Sequence, residues 1–114
     1  MNNNNIVCKI EERATMYVKL QITQLGIYSW NVLIMPIYKN CEEGSIYEIE
    51  AYNRAIARIK DYFERNNYYY YTKTNDMVVS INISKMINRD RVFINKCKNI
   101  INSEFRYLNG YCIH

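Results

Sequence analysis

The chain has two segments with the patterns of β-strands, residues 15–38 and 68–83. Each is followed by a segment whose apolar residues recur every three or four positions, as in a helix. In residues 15–24 (TMYVKLQITQ), Val18, Leu20 and Ile22 fall on one side, which predicts a half-buried strand. Residues 27–38 (IYSWNVLIMPIY) predict a second strand that forms a hairpin with the first. Pro36 has no N–H to donate, so the end of this strand is expected at a sheet edge or a bulge.

The first helical pattern covers residues 46–65. Ser45 and Glu48 have the spacing of a capping box, in which each side chain bonds a free backbone N–H at the start of a helix. Asn66 and Asn67 end the pattern. The predicted buried side consists of Ile49, Tyr52, Ile56, Ile59 and Phe63.

The second half of the chain repeats this order. Residues 68–74 and 77–83 predict a hairpin, because Asn75 and Asp76 between them tolerate positive φ in a tight turn. A second helix is predicted over residues 90–109, with Gly110 as its terminating residue. Its predicted buried side consists of Ile94, Cys97, Ile101, Phe105 and Leu108.

These elements predict an α+β domain of ββαββα order. The expected architecture is a four-stranded, mainly antiparallel sheet with both helices packed on one face. Residues 1–5 (MNNNN) are expected to form a flexible tail and residues 6–114 a single domain. Residues 6–12 are a candidate fifth strand at an edge of the sheet.

Composition narrows the class of protein. A chain of 114 residues that is 49% hydrophobic is long enough for one core. No apolar run reaches 18 residues, so no membrane helix is predicted and a cytoplasmic location is expected. Cys8, Cys41, Cys97 and Cys112 lack C-x-x-C spacing and are expected to be free thiols.

The sequence offers few groups for catalysis. The single histidine, His114, is the last residue, and three glycines are too few for a phosphate-binding loop built from backbone N–H groups. Cys112 and His114 alone are a weak metal-binding pattern. We therefore predict a protein that is not an enzyme and has no cofactor and no metal site.

Four consecutive tyrosines, Tyr68 to Tyr71, are the most unusual feature of the chain. In a strand, one alternate pair enters the core and the other pair faces away from the helices. An exposed face rich in Tyr and Trp has the composition of a binding surface. The predicted protein-binding residues are Tyr69, Tyr71, Lys73, Tyr28 and Trp30, with Tyr17 and Tyr38 as further candidates because the sequence does not set the register.

Each helix also carries a basic stripe. The first consists of Arg54, Arg58 and Arg65, and the second of Arg91, Lys98 and Arg106. With a net charge of +4, these cations permit contact with nucleic acid. Acidic residues are interleaved with them, so a solvated helix surface is the competing interpretation.

The segment MVVSINISKMINRDRVFINKCKNII, residues 77–101, is a strand followed by an amphipathic helix rich in Lys and Asn. It resembles C-terminal segments of small anti-CRISPR proteins from phages and mobile elements, particularly inhibitors of the type II effector nuclease. The resemblance covers 25 residues. It implies a non-enzymatic inhibitor that binds a nuclease complex, and it carries over no individual functional residue.

The leading functional hypothesis is therefore a viral or mobile-element protein of the anti-CRISPR type. It would inhibit a host defence nuclease by protein–protein contact in the cytoplasm of the host cell. The first alternative is a small nucleic-acid-binding protein that uses the same cations. The second alternative is a structural homodimer.

Overall fold

The computed structural model describes residues 3–8, 16–38, 46–85 and 92–105. These residues form five strands and two helices in the order βββαββα. The elements are β1 (Asn3–Cys8), β2 (Met16–Gln24), β3 (Ser29–Tyr38), α1 (Ile46–Arg65), β4 (Tyr69–Asn75), β5 (Val78–Ser84) and α2 (Val92–Phe105).

The strands lie in one sheet in the order β1-β2-β3-β5-β4, and every neighbouring pair is antiparallel. The predicted ββαββα unit is confirmed as β2 to α2. The chain leaves β3 through α1, enters the sheet again at its edge as β4, and returns as β5 beside β3. This path leaves β4 at one edge of the described sheet and β1 at the other.

The fifth strand was expected over residues 6–12, whereas β1 is Asn3–Cys8. Residues 1–5 were expected to form a flexible tail, whereas the structure pairs Asn3–Asn5 with residues 21–23 of β2. This pairing consists of hydrogen bonds between backbone atoms. It therefore does not require alternating apolar residues, which are the pattern that predicts a strand from sequence.

Alternation along the strands places the core on one face of the sheet. Val18, Leu20 and Ile22 of β2 are buried as predicted. They face the same side as the buried residues of β3 and β5, because residues paired across antiparallel strands share a face. Both helices cover this side and bury Ala51, Tyr52, Ala55, Ile56, Ile59, Phe63, Phe93, Cys97, Ile100, Ile101 and Phe105.

Pro36 lies in the part of β3 that does not pair with β5. The pairing of β3 with β5 ends at Ile34 and Val79, while the pairing with β2 continues to Tyr38. Pro36 therefore has a neighbouring residue on β2 but none on β5. The expectation of an edge position for Pro36 is confirmed on this side of the strand.

Two polar groups of α1 are bonded inside the core. Glu48 is 2% exposed, and its carboxylate accepts a hydrogen bond of 3.1 Å from the backbone N–H of Met16. The hydroxyl of Tyr52 donates toward the carbonyl oxygens of Met77 at 2.6 Å and Ile34 at 3.0 Å. Burial raises the pKa of Tyr52 far above its ordinary value, with a smaller contribution from Tyr38, so this hydroxyl keeps its proton.

The predicted bounds of α1 are confirmed, but its buried side differs in detail. Ile49 is only half-buried, while Ala51 and Ala55 are fully buried. Small residues at these positions let the helix lie close to its neighbours, and their burial is not visible in a count of large apolar residues. The Ser45 half of the predicted capping box lies outside the described residues.

Helix α2 lies within the predicted range of 90–109 and buries Cys97, Ile101 and Phe105 as expected. Phe93 and Ile100 are also buried, whereas Ile94 is half-buried. Burial raises the pKa of the Cys97 thiol to about 12, so this cysteine packs as a protonated, apolar side chain. Leu108 and Gly110 lie outside the described residues.

The C-terminal end of α1 determines where β4 begins. Asn67 has a φ of 60°, the N–H of Tyr68 donates to Phe63 O at 2.9 Å, and the N–H of Asn67 donates to Glu64 O at 3.3 Å. These are the two backbone bonds of a Schellman motif. The ring of Tyr68 lies 5.2 Å from the ring of Phe63 in an edge-to-face contact, which is the apolar contact that accompanies this motif.

Asn67→Ala is expected to lower the free energy of unfolding by about 1–2 kcal/mol, because Cβ makes a left-handed backbone unfavourable and Asn tolerates it better than Ala. Asn67→Gly is the matched variant, since glycine adopts this φ without steric cost. Urea unfolding followed by circular dichroism measures both. Equal losses for the two variants would show that the backbone conformation at Asn67 contributes nothing.

Candidate interaction surface

The face of the sheet that points away from the helices carries the tyrosines of β4. Tyr69 is 72% exposed and Tyr71 is 64% exposed, and Lys73 is exposed beside them. Their cross-strand partners on β5 are Ser84, Asn82 and Ser80. We call this surface the tyrosine face and define it as Tyr69, Tyr71, Lys73, Ser80, Asn82, Ser84, Ser29 and Asn31.

The polar part of the tyrosine face is held in place by side-chain hydrogen bonds. The Asn31 amide nitrogen donates to Ser80 Oγ at 2.8 Å and to Asn82 Oδ1 at 2.8 Å. This arrangement links β3 to β5 and orients Asn82 beside Tyr71, which is its partner on β4. The tyrosines therefore stand next to a pre-arranged row of hydroxyl and amide groups.

An open depression of about 410 Å³ lies at the Tyr69 end of this surface. Tyr69, Tyr71, Asn82, Ser84 and Ser29 contribute to its lining. Trp30 and Ile83 also line it, although their side chains are buried on the opposite side of the sheet. We infer that these two residues contribute backbone atoms to the floor.

The β2–β3 turn adds apolar surface at the same end. Leu25, Ile27 and Tyr28 are all exposed, and Leu25 lines the depression. The turn lies against the end of β5, because the N–H of Lys85 donates to Tyr28 O at 3.1 Å. Tyr28 was predicted as a binding residue, but Leu25 and Ile27 were not, although apolar residues in a turn are a signal for an exposed apolar patch.

The predicted binding residues are only partly brought together. Tyr69, Tyr71 and Lys73 lie on the open face as expected, and Tyr28 lies in the adjacent turn instead of in a strand. The placement of Trp30 on this face is wrong. Trp30 is 3% exposed and packs edge-to-face on Phe93, with ring centroids 5.4 Å apart.

The register explains the position of Trp30. Trp30 is paired with Gln24 on β2 and with Ile83 on β5, and Ile83 belongs to the core. Tyr38 is likewise on the core side, opposite the buried Met16, with its hydroxyl 3.1 Å from Met77 Sδ. Tyr17 lies on the open side with its partner Ile37.

The four tyrosines do not divide into one buried pair and one exposed pair. Tyr68 is buried, but Tyr70 is 37% exposed although it shares the side of the sheet with Ile83. Because β4 lies at the edge of the described sheet, α1 covers Tyr70 only in part. Its hydroxyl lies 3.5 Å from Glu64 Oε2.

The basic stripe of α1 is engaged in ion pairs. Arg54 Nε lies 2.8 Å from Glu104 Oε1, and Arg58 Nη1 lies 2.7 Å from Glu104 Oε2, so both arginines join α1 to α2. Arg65 Nε lies 2.9 Å from Asp61 Oδ2 on the same helix. Lys98 is half-buried on α2, and the remaining stripe residues, Arg91 and Arg106, lie outside the described residues.

Charge is distributed unevenly between the two layers. In the described ranges, the acidic residues are Glu48, Glu50, Asp61, Glu64 and Glu104 on the helices and Asp76 in the β4–β5 turn. The open side of the described part of β2 to β5 carries Lys19 and Lys73 and no carboxylate. This side of the sheet is therefore mildly positive.

Within the described residues, no three His, Cys, Asp or Glu side chains form a group that could hold a metal ion. Neither α1 nor α2, the helices of the described residues, is long and apolar enough to cross a membrane. Cys112 and His114 lie outside these residues.

Comparison with models of protein families, with curated proteins and with solved structures finds no match to this chain.

The Glu104 ion pairs predict a dependence of stability on pH. Partial burial raises the pKa of Glu104, but hydrogen bonds and charge from Arg54 and Arg58 outweigh this effect and hold the pKa below its ordinary value of 4.5. The folded protein thus binds this proton more weakly than the unfolded chain. The stabilisation is fully present above pH 4.5 and is lost as the pH falls through the folded-state pKa.

Glu104→Gln is expected to lower the free energy of unfolding at pH 7 by at most about 1 kcal/mol, since both arginines are roughly half exposed to solvent. It should also reduce the loss of stability below pH 4.5. Urea unfolding at neutral and acidic pH measures both effects, with Glu50→Gln on the exposed side of α1 as the control. An unchanged pH profile in Glu104→Gln would refute the role of this carboxylate.

Proposed function

We propose that the chain is a non-enzymatic binding protein that docks a protein partner on the tyrosine face. The observation that carries this proposal is the pair Tyr69 and Tyr71, both mostly exposed, beside a row of Ser and Asn side chains that contains no carboxylate. Exposed tyrosine rings beside Ser and Asn side chains have the composition of a binding surface, which supports the proposal.

The residue types support a protein partner. Tyrosine offers a large contact area, loses little conformational entropy when it is ordered, and carries a hydroxyl that can bond at the rim of an interface. Ser and Asn supply adaptable hydrogen bonds, and the combination of Tyr, Ser and Asn is typical of antibody binding loops. The exposed Leu25 and Ile27 extend the apolar part of the surface.

The charge of the surface limits the partner further. Lys73 lies within the tyrosine face, and Lys19 lies on the same side of the sheet. A partner with an acidic patch would meet no described carboxylate on this side of β2 to β5. Opposite charges across an interface mainly accelerate association and exclude wrong partners.

The particular form that we propose is inhibition of a host defence nuclease by occupation of its surface, in the host cytoplasm. The support for this form is the resemblance of residues 77–101 to small viral and mobile-element inhibitors of the type II effector nuclease. Within that segment, β5 and α2 contribute core residues such as Val79, Ile81 and Phe93. The resemblance therefore concerns packing as much as surface, and Tyr69 and Tyr71 lie outside it.

Nucleic acid is the second candidate, and the absence of described carboxylates around Lys19 and Lys73 favours it. Single strands bind by stacking bases on exposed aromatic rings above a positive surface. Two cations are few for this purpose, and Arg54, Arg58 and Arg65 are already paired with carboxylates. With two phosphate contacts, the logarithm of the affinity would fall with the logarithm of the salt concentration with a slope of only about −1.4 to −1.8.

The test is direct binding to a purified type II effector nuclease loaded with guide RNA, together with its DNA-cleavage assay. Tyr69→Ala combined with Tyr71→Ala should weaken binding by about 2 kcal/mol or more, or roughly 30-fold, because tyrosines dominate interface energetics. Tyr47→Ala is the matched control, since Tyr47 is 66% exposed but lies on α1. The control should bind and inhibit like the wild type.

Each outcome has a distinct meaning. If the nuclease binds equally to the double variant, the tyrosine face is not the docking surface. If the nuclease does not bind at all, the nuclease form of the proposal is rejected. An oligonucleotide pool that binds the wild type at about 0.15 M salt and is released at higher salt would favour the nucleic-acid candidate.

A further inference from the structure

The outer edge of β4 is the feature that extends beyond the tyrosine face. Among the described residues, β4 has one neighbouring strand, β5, and lies at the end of the sheet. Six of its seven residues are exposed, and the seventh, Thr72, is half-buried. One row of backbone N–H and C=O groups on β4 therefore has no strand partner among the described residues and can pair with another strand.

We propose that β4 pairs antiparallel with β4 of a second copy of this chain, about a two-fold axis at Thr72. The proposal does not depend on the partner of the tyrosine face. Among pairings that keep the helices of both copies on one side of the joined sheet, this register alone pairs all seven residues of β4. It places Tyr69 opposite Asn75, Tyr70 opposite Thr74, and Tyr71 opposite Lys73 of the second copy.

In this register, the β4 side chains of one copy are complementary to the β4 side chains of the second copy. On the open side of the sheet, Lys73 of each copy lies beside the ring of Tyr71 of the other, a cross-strand pair that can form a cation–π contact. On the helix side, Thr72 meets Thr72 of the second copy, and threonine pairs are favourable across strands. Lys73 is the one charged residue of β4, so no like charges are directly opposed.

The alternative registers are less favourable. An axis at Lys73 would place the two ammonium groups directly opposite each other, which is destabilising. An axis at Tyr71 would leave Thr74 and Asn75 without partners on the other β4. The choice of Thr72 thus follows from charge and from the length of the strand.

Pairing through β4 has a structural consequence for the proposed binding surface. Tyr69 and Tyr71 keep their positions on the open side, so the tyrosine faces of two copies would join into one continuous surface. Lys73 of the second copy would become part of the surroundings of Tyr71. A two-fold symmetric or extended partner could then contact both copies at once.

The mass of the protein in solution is the first test. Light scattering behind size-exclusion chromatography should give twice the chain mass of 13.8 kDa for the wild type. A mass of one chain at loading concentrations up to about 100 μM would overturn the proposal, since a dimer with a micromolar Kd would be detected there.

Disulfide trapping tests the position of the axis. Thr72→Cys places two thiols directly across the axis, within the Cα–Cα range of about 4.4–6.8 Å that a disulfide requires. Thr74→Cys is the matched control, because its two copies would be roughly 13 Å apart along the strands. Mild oxidation should convert Thr72→Cys to a covalent dimer above the background of the wild-type cysteines, whereas Thr74→Cys should not.

A dimer that is trapped by neither variant, or by Thr74→Cys alone, would place the interface elsewhere and overturn the proposal. Circular dichroism of each variant confirms that it is folded.

A charge exchange tests the contact between Tyr71 and Lys73. Tyr71→Lys opposes two ammonium groups twice in the dimer and should raise the dimer Kd about tenfold or more. Adding Lys73→Glu to this variant opposes ammonium and carboxylate groups and should restore the dimer. If the double variant dissociates as readily as Tyr71→Lys alone, these residues are not opposite each other.

Discussion

The backbone hydrogen bond from Tyr68 N–H to Phe63 O helps to determine which tyrosines of β4 point away from the helices. This bond and the left-handed conformation of Asn67 form the motif that ends α1. The motif places the ring of Tyr68 on Phe63 inside the core. Because strand residues alternate between faces, Tyr69 and Tyr71 must then point away from the helices. The composition of the tyrosine face thus depends on a turn that lies outside it.

The buried carboxylate of Glu48 has a similar role at the other end of α1. It accepts a hydrogen bond from Met16 N–H at the start of β2 and so joins the first turn of the helix to the sheet. A buried carboxylate without such a partner would be strongly destabilising. Together, Glu48 near the start of α1 and Tyr68 just beyond its end connect the helix to strands at opposite ends of the unit.

The cations of the helices and those on the open side of the sheet have different surroundings. On the helices, Arg54 and Arg58 are paired with Glu104, so two of the three cations of the first basic stripe contribute to the contact between α1 and α2. On the open side of the sheet, Lys73 lies among neutral residues. The basic pattern in the sequence therefore overstates the charge that α1 offers to a partner, whereas Lys19 and Lys73 on the open side of the described β2 to β5 have no carboxylate beside them on that side.

The sequence by itself determined the order of the elements from β2 to α2, the bounds of α1 and the alternation of β2 and β5, because these follow from local periodicity and from residues such as Pro36 and Asp76. It also indicated Tyr69, Tyr71 and Lys73 as one surface, since alternation alone relates them. Only the tertiary structure decided that Trp30 is buried, that Asn3–Asn5 pair with β2, and that Arg54 and Arg58 meet Glu104. The physical reason is that a strand's period of two leaves open which side meets the helices. Contacts between residues far apart in sequence, such as Trp30 with Phe93, make that choice.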